Sequence, residues 1–149
     1  MSDEMTKVAL ITGACGGIGK ALVYKYASQG ISLAIADKSL KEVELLVDEV
    51  VSMGGTAKAF SGDLTEQSYC DNLPNGVKQE FGRIDIIVNN AGLMRRGAIT
   101  DTTDKDYNLS MSVNVEAPFR IVRAAIPLMA EAGGGAIVNT SSCWGINPG

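Results

Sequence analysis

The chain has 149 residues, of which 46% are hydrophobic and 20% charged, and a net charge of −4. That length encloses one domain with its own core, in the composition of an ordinary globular protein. Acids and bases are mixed without a basic run, and apolar runs such as Val8 to Ile11 are too short for a bilayer, so neither nucleic acid nor membrane is an expected partner.

The first six residues are polar and acidic, unlike a secretory signal, and a cytoplasmic protein is expected. Cys15, Cys70 and Cys143 lie far apart and form no metal-type cluster; buried, reduced thiols are the simpler expectation. Histidine is absent. That excludes Ser-His-Asp hydrolysis, Cys-His catalysis and the commonest metal sites together.

In chain order, Lys7–Thr12 predicts a strand and Gly17–Gln29 a helix ended by Gly30. Ile31–Ala36 predicts a second strand. Leu40, Val43, Leu46, Val47, Val50 and Val51 then recur at helical spacing, up to Gly54 and Gly55. Thr56–Phe60 is a third strand, residues 65–81 a helix, and Ile84–Asn89 a fourth strand. Residues 103–132 read as a long helical stretch, interrupted by Pro118 and Pro127, and Ala136–Thr140 as the fifth strand. Alternating strands and helices of this kind predict a doubly wound parallel sheet between two helical layers, a Rossmann-type α/β fold of strand order 3-2-1-4-5.

The first strand runs into Thr12-Gly13-Ala14-Cys15-Gly16-Gly17-Ile18-Gly19 and a helix. Glycine spacing alone is a weak signal; its place between a buried strand and a helix start gives it weight. Gly13 suits the tight turn, Gly17 leaves room for a pyrophosphate at the backbone, and Gly19 permits close packing of helix on strand. The free N–H groups of the helix's first turn and its dipole then favour phosphate charge. A plain glycine-rich turn is the competing reading. Asp37 ends the second strand, 18 residues beyond Gly19, where a dinucleotide fold places the acid that bonds the adenosine ribose. A carboxylate there repels a 2′-phosphate, so NAD(H) is expected in preference to NADP(H), although Lys38 next door weakens the point. Asp37 also suits the N-cap of the following helix, and the two roles are compatible.

The motifs taken together resemble the short-chain dehydrogenases/reductases from Lys7 to Gly149. The family's TGxxxGIG stands as Thr12–Gly19, with Ile18 in its place. Its acid after the third strand stands as Asp63-Leu64, its NNAG as Asn89-Asn90-Ala91-Gly92, its helix-borne asparagine as Asn114, and its serine motif as Ile137–Ser142. Five motifs in order make a specific match. The resemblance implies that Asp63 bonds the adenine amino group and Leu64 flanks the ring. It implies that Asn90, Ala91 and Gly92 line the cofactor, and that Ser142 is the catalytic serine, with Gly145 following and Ser141 the alternative. Asn114 also draws attention by itself. Residue 118 is proline and lacks the N–H that the Asn114 carbonyl would accept in an α-helix. A buried carbonyl freed in this way wants water. The family uses this backbone to hold a water in a proton relay; an ordinary proline kink is the competing reading.

The family's proton donor, a tyrosine with a lysine four residues on, has no counterpart. Tyr24, Tyr26, Tyr69 and Tyr107 are followed at that distance by Ser28, Gly30, Leu73 and Met111. Arg95 and Arg96 stand as solvated loop charges or as contacts for an anionic substrate. The expectation is therefore a single NAD(P)-binding domain over residues 1–149, the N-terminal part of a longer enzyme, with an exposed edge at its fifth strand. That enzyme would interconvert a secondary alcohol and a carbonyl compound by hydride transfer, as a homo-oligomer acting on a small-molecule substrate. The alternative is a non-catalytic NAD-binding homologue with a regulatory role.

Overall fold

Alternate residues of a strand face opposite sides of a sheet, and in the computed structural model, which describes residues 6–143, both sides of the central strands are covered. Strand β1 (Val8–Thr12) is buried throughout. Its Val8 and Leu10 pack into one core and its Ala9 and Ile11 into the other. Helix α1 (Gly17–Ala27), strand β2 (Ser32–Asp37), helix α2 (Leu40–Ser52) and strand β3 (Ala57–Ser61) follow. Next come helix α3 (Gln67–Phe81), strand β4 (Ile86–Asn89), helix α4 (Asp104–Met111), a π-helical turn (Ser112–Glu116), helix α5 (Ala117–Glu131) and strand β5 (Ala136–Asn139). The five strands form one parallel sheet ordered β3-β2-β1-β4-β5, as expected from the sequence.

Helices α1 and α2 cover one face, where Val23, Val43, Leu46 and Val50 close over Ile11, Leu33 and Ile35. Helices α3 and α5 cover the other, with Cys70, Val77, Ile121 and Ala125 over Leu10 and Ile87. A buried aliphatic side chain contributes about 1.5–3 kcal/mol, so these two clusters are the main source of stability. The α2 stripe is narrower than its sequence pattern: Leu40 and Val51, at its margins, are more than half exposed.

Several boundaries differ from the sequence expectation. The N-cap of α2 is Ser39, whose hydroxyl accepts the Glu42 N–H, and not Asp37. Pro127 does not interrupt α5, which runs through it. The break falls at Pro118, and it takes the form of a π-turn, in which the Ala117 N–H donates to Ser112 five residues back. Residues 84–85 precede β4, although the Asp85 N–H already bonds the Val8 carbonyl.

At the N-terminal ends of the strands, Asp85 is 6% exposed. Its carboxylate accepts the Val8 N–H at 2.8 Å and both arms of the Arg83 fork. Burial pushes this carboxyl up, but the Arg83 and Val8 bonds outweigh burial and hold it below its ordinary value. The opposite, C-terminal ends are where the chain opens a cleft. Strand β5 lies at the sheet edge, paired with β4, and all four of its residues are exposed.

Candidate functional site

The strand order reverses between β1 and β4, whose connections leave toward opposite faces, and ligands of open α/β sheets bind in the crevice at such a point. A cleft of about 740 Å³ lies there, walled by the turns that follow β1, β2, β3 and β4.

The β1 turn forms its floor. Gly13 has φ +61°, a conformation that L side chains rarely adopt. A Cβ there would lie 2.7 Å from the Ala91 Cα, so Gly13 is required by backbone geometry and by the β4 turn packed against it. A Cβ on Gly19 would meet the Gly13 carbonyl at 2.1 Å, which confirms the need for close helix packing. Gly17 differs: a Cβ there would meet nothing within 4 Å. It opens α1 at the cleft wall, beside Ile18, which is 63% exposed. The space before this helix start is what a phosphate pair would fill.

Asp37 lines the cleft at the end of β2. One of its oxygens accepts the Cys15 N–H at 2.9 Å and the other the Lys38 N–H at 2.7 Å, so the carboxylate is held in a fixed plane. Burial, followed by the charge of Asp37, pushes the Cys15 thiol up to about 11. Asp63 and Leu64 line the same end after β3. Asp63 binds the Lys38 ammonium at 2.6 Å and accepts the N–H and hydroxyl of Thr65. The Lys38 bond, then the Thr65 N–H, draw its carboxyl down to about 2.

Asn90, Ala91 and Gly92 form the β4 side of the wall. They are anchored on β1 by a residue that motif matching alone leaves without a role. The buried Thr12 hydroxyl accepts the N–H groups of both Asn90 and Ala91 at 3.2 Å, while the Asn90 amide donates to the carbonyls of Thr12 and Gly13. A hydroxyl directly before a glycine turn was the available signal.

Asn114 and Ser142 are not part of the cleft wall. Asn114 falls in the π-turn as an exposed residue, and its side chain makes the notable contacts. Its Oδ1 accepts the Leu93 N–H at 2.8 Å and its Nδ2 donates to the Leu93 carbonyl at 2.7 Å. This two-point bond pins the loop after β4, where Leu93 and Arg95 continue the cleft wall. Ser142 lies exposed three residues beyond β5, and Gly145 is outside the described residues. Tyr69 does enter the cleft wall, but burial pushes its phenol up and its proton is given to the Phe60 carbonyl at 2.6 Å. That leaves it a poor proton donor. No group of metal-binding side chains occurs among the described residues, and no helix among them is long and apolar enough to cross a membrane.

Comparison with known proteins places this geometry. The short chain dehydrogenase family pattern matches residues 7–149. The chain is 40% identical over 140 residues to an uncharacterized oxidoreductase of Thermotoga maritima, covering 94% of this chain and 55% of that protein. It is 36% identical over 150 residues to cyclohexanol dehydrogenase of an Acinetobacter strain, covering 98% of this chain and 59% of that protein. Among solved structures, L-sorbose reductase from Gluconobacter frateurii, complexed with NADPH and L-sorbose, superposes with a TM-score of 0.92 at 28% identity. That match covers 96% of this chain and 55% of the reductase. The chain thus spans little more than half the length of these relatives.

Proposed function

The chain belongs to the short-chain dehydrogenase family, and on that premise we propose that it is the dinucleotide-binding portion of an oxidoreductase that interconverts a secondary alcohol and a carbonyl compound with NAD(H). The observation that carries the reading is the cleft at the sheet's switch point, open in front of Gly17 and bounded by Asp37. The dinucleotide, when bound, supplies the hydride chemistry. The protein's share is binding and orientation. Gly13, Gly17, Ile18 and Gly19 receive the pyrophosphate at the start of α1. Asp63 and Leu64 take the adenine, and Asn90, Ala91 and Gly92 line the remainder. Ser142 holds the substrate oxygen, and Asn114 positions the β4 loop beside it.

Two contacts support NAD(H) over NADP(H). The Asp37 carboxylate, fixed by two backbone N–H groups, keeps lone pairs for ribose hydroxyls and repels a third negative group. Lys38, the cation nearest to hand for a 2′-phosphate, is engaged by Asp63 instead. The unmodified chain should bind NAD(H) more tightly than NADP(H), and Asp37→Ala should narrow the gap by roughly 1–3 kcal/mol, the scale of a charge-assisted hydrogen bond. Calorimetric titration of both cofactors tests this; tighter NADP(H) binding by the unmodified chain contradicts it.

Hydride transfer to a carbonyl needs a proton donor for the oxygen. No tyrosine of the 149 residues has a lysine four positions on, and Tyr69 is turned away from the task. The 149-residue chain should therefore bind cofactor without turning over alcohols or ketones. Measuring NADH absorbance with a panel of secondary alcohols checks this, and turnover above background would identify a donor of another kind.

A further inference from the structure

The charges along the cleft wall are unevenly placed. Carboxylates collect at the β2 and β3 end, where Asp37, Glu42 and Asp63 line it together with Lys38. At the β4 end, beyond Asn90, Ala91 and Gly92, the wall continues as Leu93, Leu109, Val113 and one cation, Arg95. The Arg95 side chain is 53% exposed, so it meets a ligand from the open side of the wall, and its strength as an anion contact rests on paired hydrogen bonds and not on exclusion of water.

The loop that carries Arg95 is held in place while the donors of Arg95 stay available. The loop carrying it is pinned two residues earlier by the two bonds between Asn114 and Leu93. Its closest carboxylate is that of Asp106, with Nε to Oδ1 at 3.5 Å. Asp106 has a prior commitment: its Oδ2 accepts the Thr103 hydroxyl at 2.7 Å, and its N–H donates to that hydroxyl in the cap of α4. The Asp106 carboxylate lies beside Nε as a long, exposed ion pair. The two terminal nitrogens of Arg95 hold no hydrogen bond with the other described residues, which leaves the paired fork that fits a carboxylate or a phosphate. Arg96, the next residue, is exposed and is not part of the wall.

We propose that Arg95 is a specificity-determining residue that selects substrates carrying an oxyanion group, a carboxylate or a phosphate, at the β4 end of the cleft. The proposal rests on the reading of the cleft as a cofactor and substrate site. The carboxylates of the wall lie at the opposite end, so Arg95 is the cation that an anionic group meets at the β4 end. The neighbouring Leu93, Leu109 and Val113 accept its carbon chain.

The test uses the chain loaded with NAD⁺ and three probe pairs: lactate with lactamide, 3-hydroxybutyrate with its amide, and glycerol 3-phosphate with glycerol. Binding is followed by saturation-transfer NMR and calorimetry. At least one anion should bind about tenfold or more tightly than its neutral partner, with the carboxylate and phosphate pairs showing which oxyanion is preferred. Arg95→Gln should abolish that preference, Arg95→Lys should retain part of it, and Arg96→Gln should leave it intact. NAD⁺ affinity should be unchanged in all three. Failure of the unmodified chain to bind NAD⁺ would overturn the reading of the cleft itself. With NAD⁺ bound, the absence of any anion preference, its survival in Arg95→Gln, or an equal loss in Arg96→Gln would each overturn the role of Arg95 alone.

Discussion

Valine at Gly13 and valine at Gly17 should fail in different ways. At Gly13 the side chain meets a positive φ and the Ala91 backbone at once. Strain of this kind costs on the order of 1–3 kcal/mol, and overpacking adds a similar amount. Gly13→Val should therefore lower the melting temperature sharply and lose cofactor binding because the β1 and β4 turns no longer fit. At Gly17 the new side chain meets no protein atom within 4 Å of its Cβ, and the residue opens α1 at the cleft wall, where added bulk would compete with a bound phosphate. Gly17→Val should keep a near-native melting temperature while cofactor affinity falls about tenfold to a hundredfold, the value of one or two charge-assisted hydrogen bonds. Thermal melts and calorimetric titrations of the same two variants check the contrast. Retained cofactor affinity in Gly17→Val would place the phosphates elsewhere.

The second large effect is expected far from the cleft. Asp85→Ala removes the acceptor of the Val8 N–H and the partner of Arg83 in a site with little access to water. Breaking such a pair by deleting one member costs roughly 3–5 kcal/mol, a large share of a small domain's stability. Its pH dependence has a definite sign. The folded protein holds the Asp85 carboxyl below its unfolded value of about 4. The contribution of Asp85 is thus complete above that unfolded value and is lost as pH falls through the lower, folded one. Urea melts over an acidic pH series should show the unmodified chain losing stability there more steeply than Asp85→Ala. Parallel curves would show that the pair contributes nothing in solution.

The sheet was legible because its signals are redundant. The β1 and β2 residues are apolar on both faces, as a buried parallel strand requires, and glycine turns and a helical stripe separate them. The floor of the cleft was legible for the same reason: Gly13 and Gly19 are needed by the backbone itself, whatever binds there. What escaped was set by tertiary partners. Asp37 and Ser39 both suit an N-cap, and only the backbone path decides that the serine takes it. Pro118 was correctly read as a disturbance. The π-turn was not foreseen, nor was the Asn114 side chain's bond to Leu93, 21 residues back. Arg95 could not be separated from Arg96 by composition, and the cleft wall separates them.

The Thr12 hydroxyl carries a consequence for the order in which the molecule is assembled. Its two N–H partners, on Asn90 and Ala91, lie 78 and 79 residues further along the chain. The glycine turn is thus written early in the chain and completed late. During synthesis, β1, β2 and their helices can pair as they emerge, but the turn has no β4 loop to rest on until residue 91 has left the ribosome. The bonds that fix the cleft floor to the β4 turn therefore close only after the whole stretch from β1 to β4 has been made.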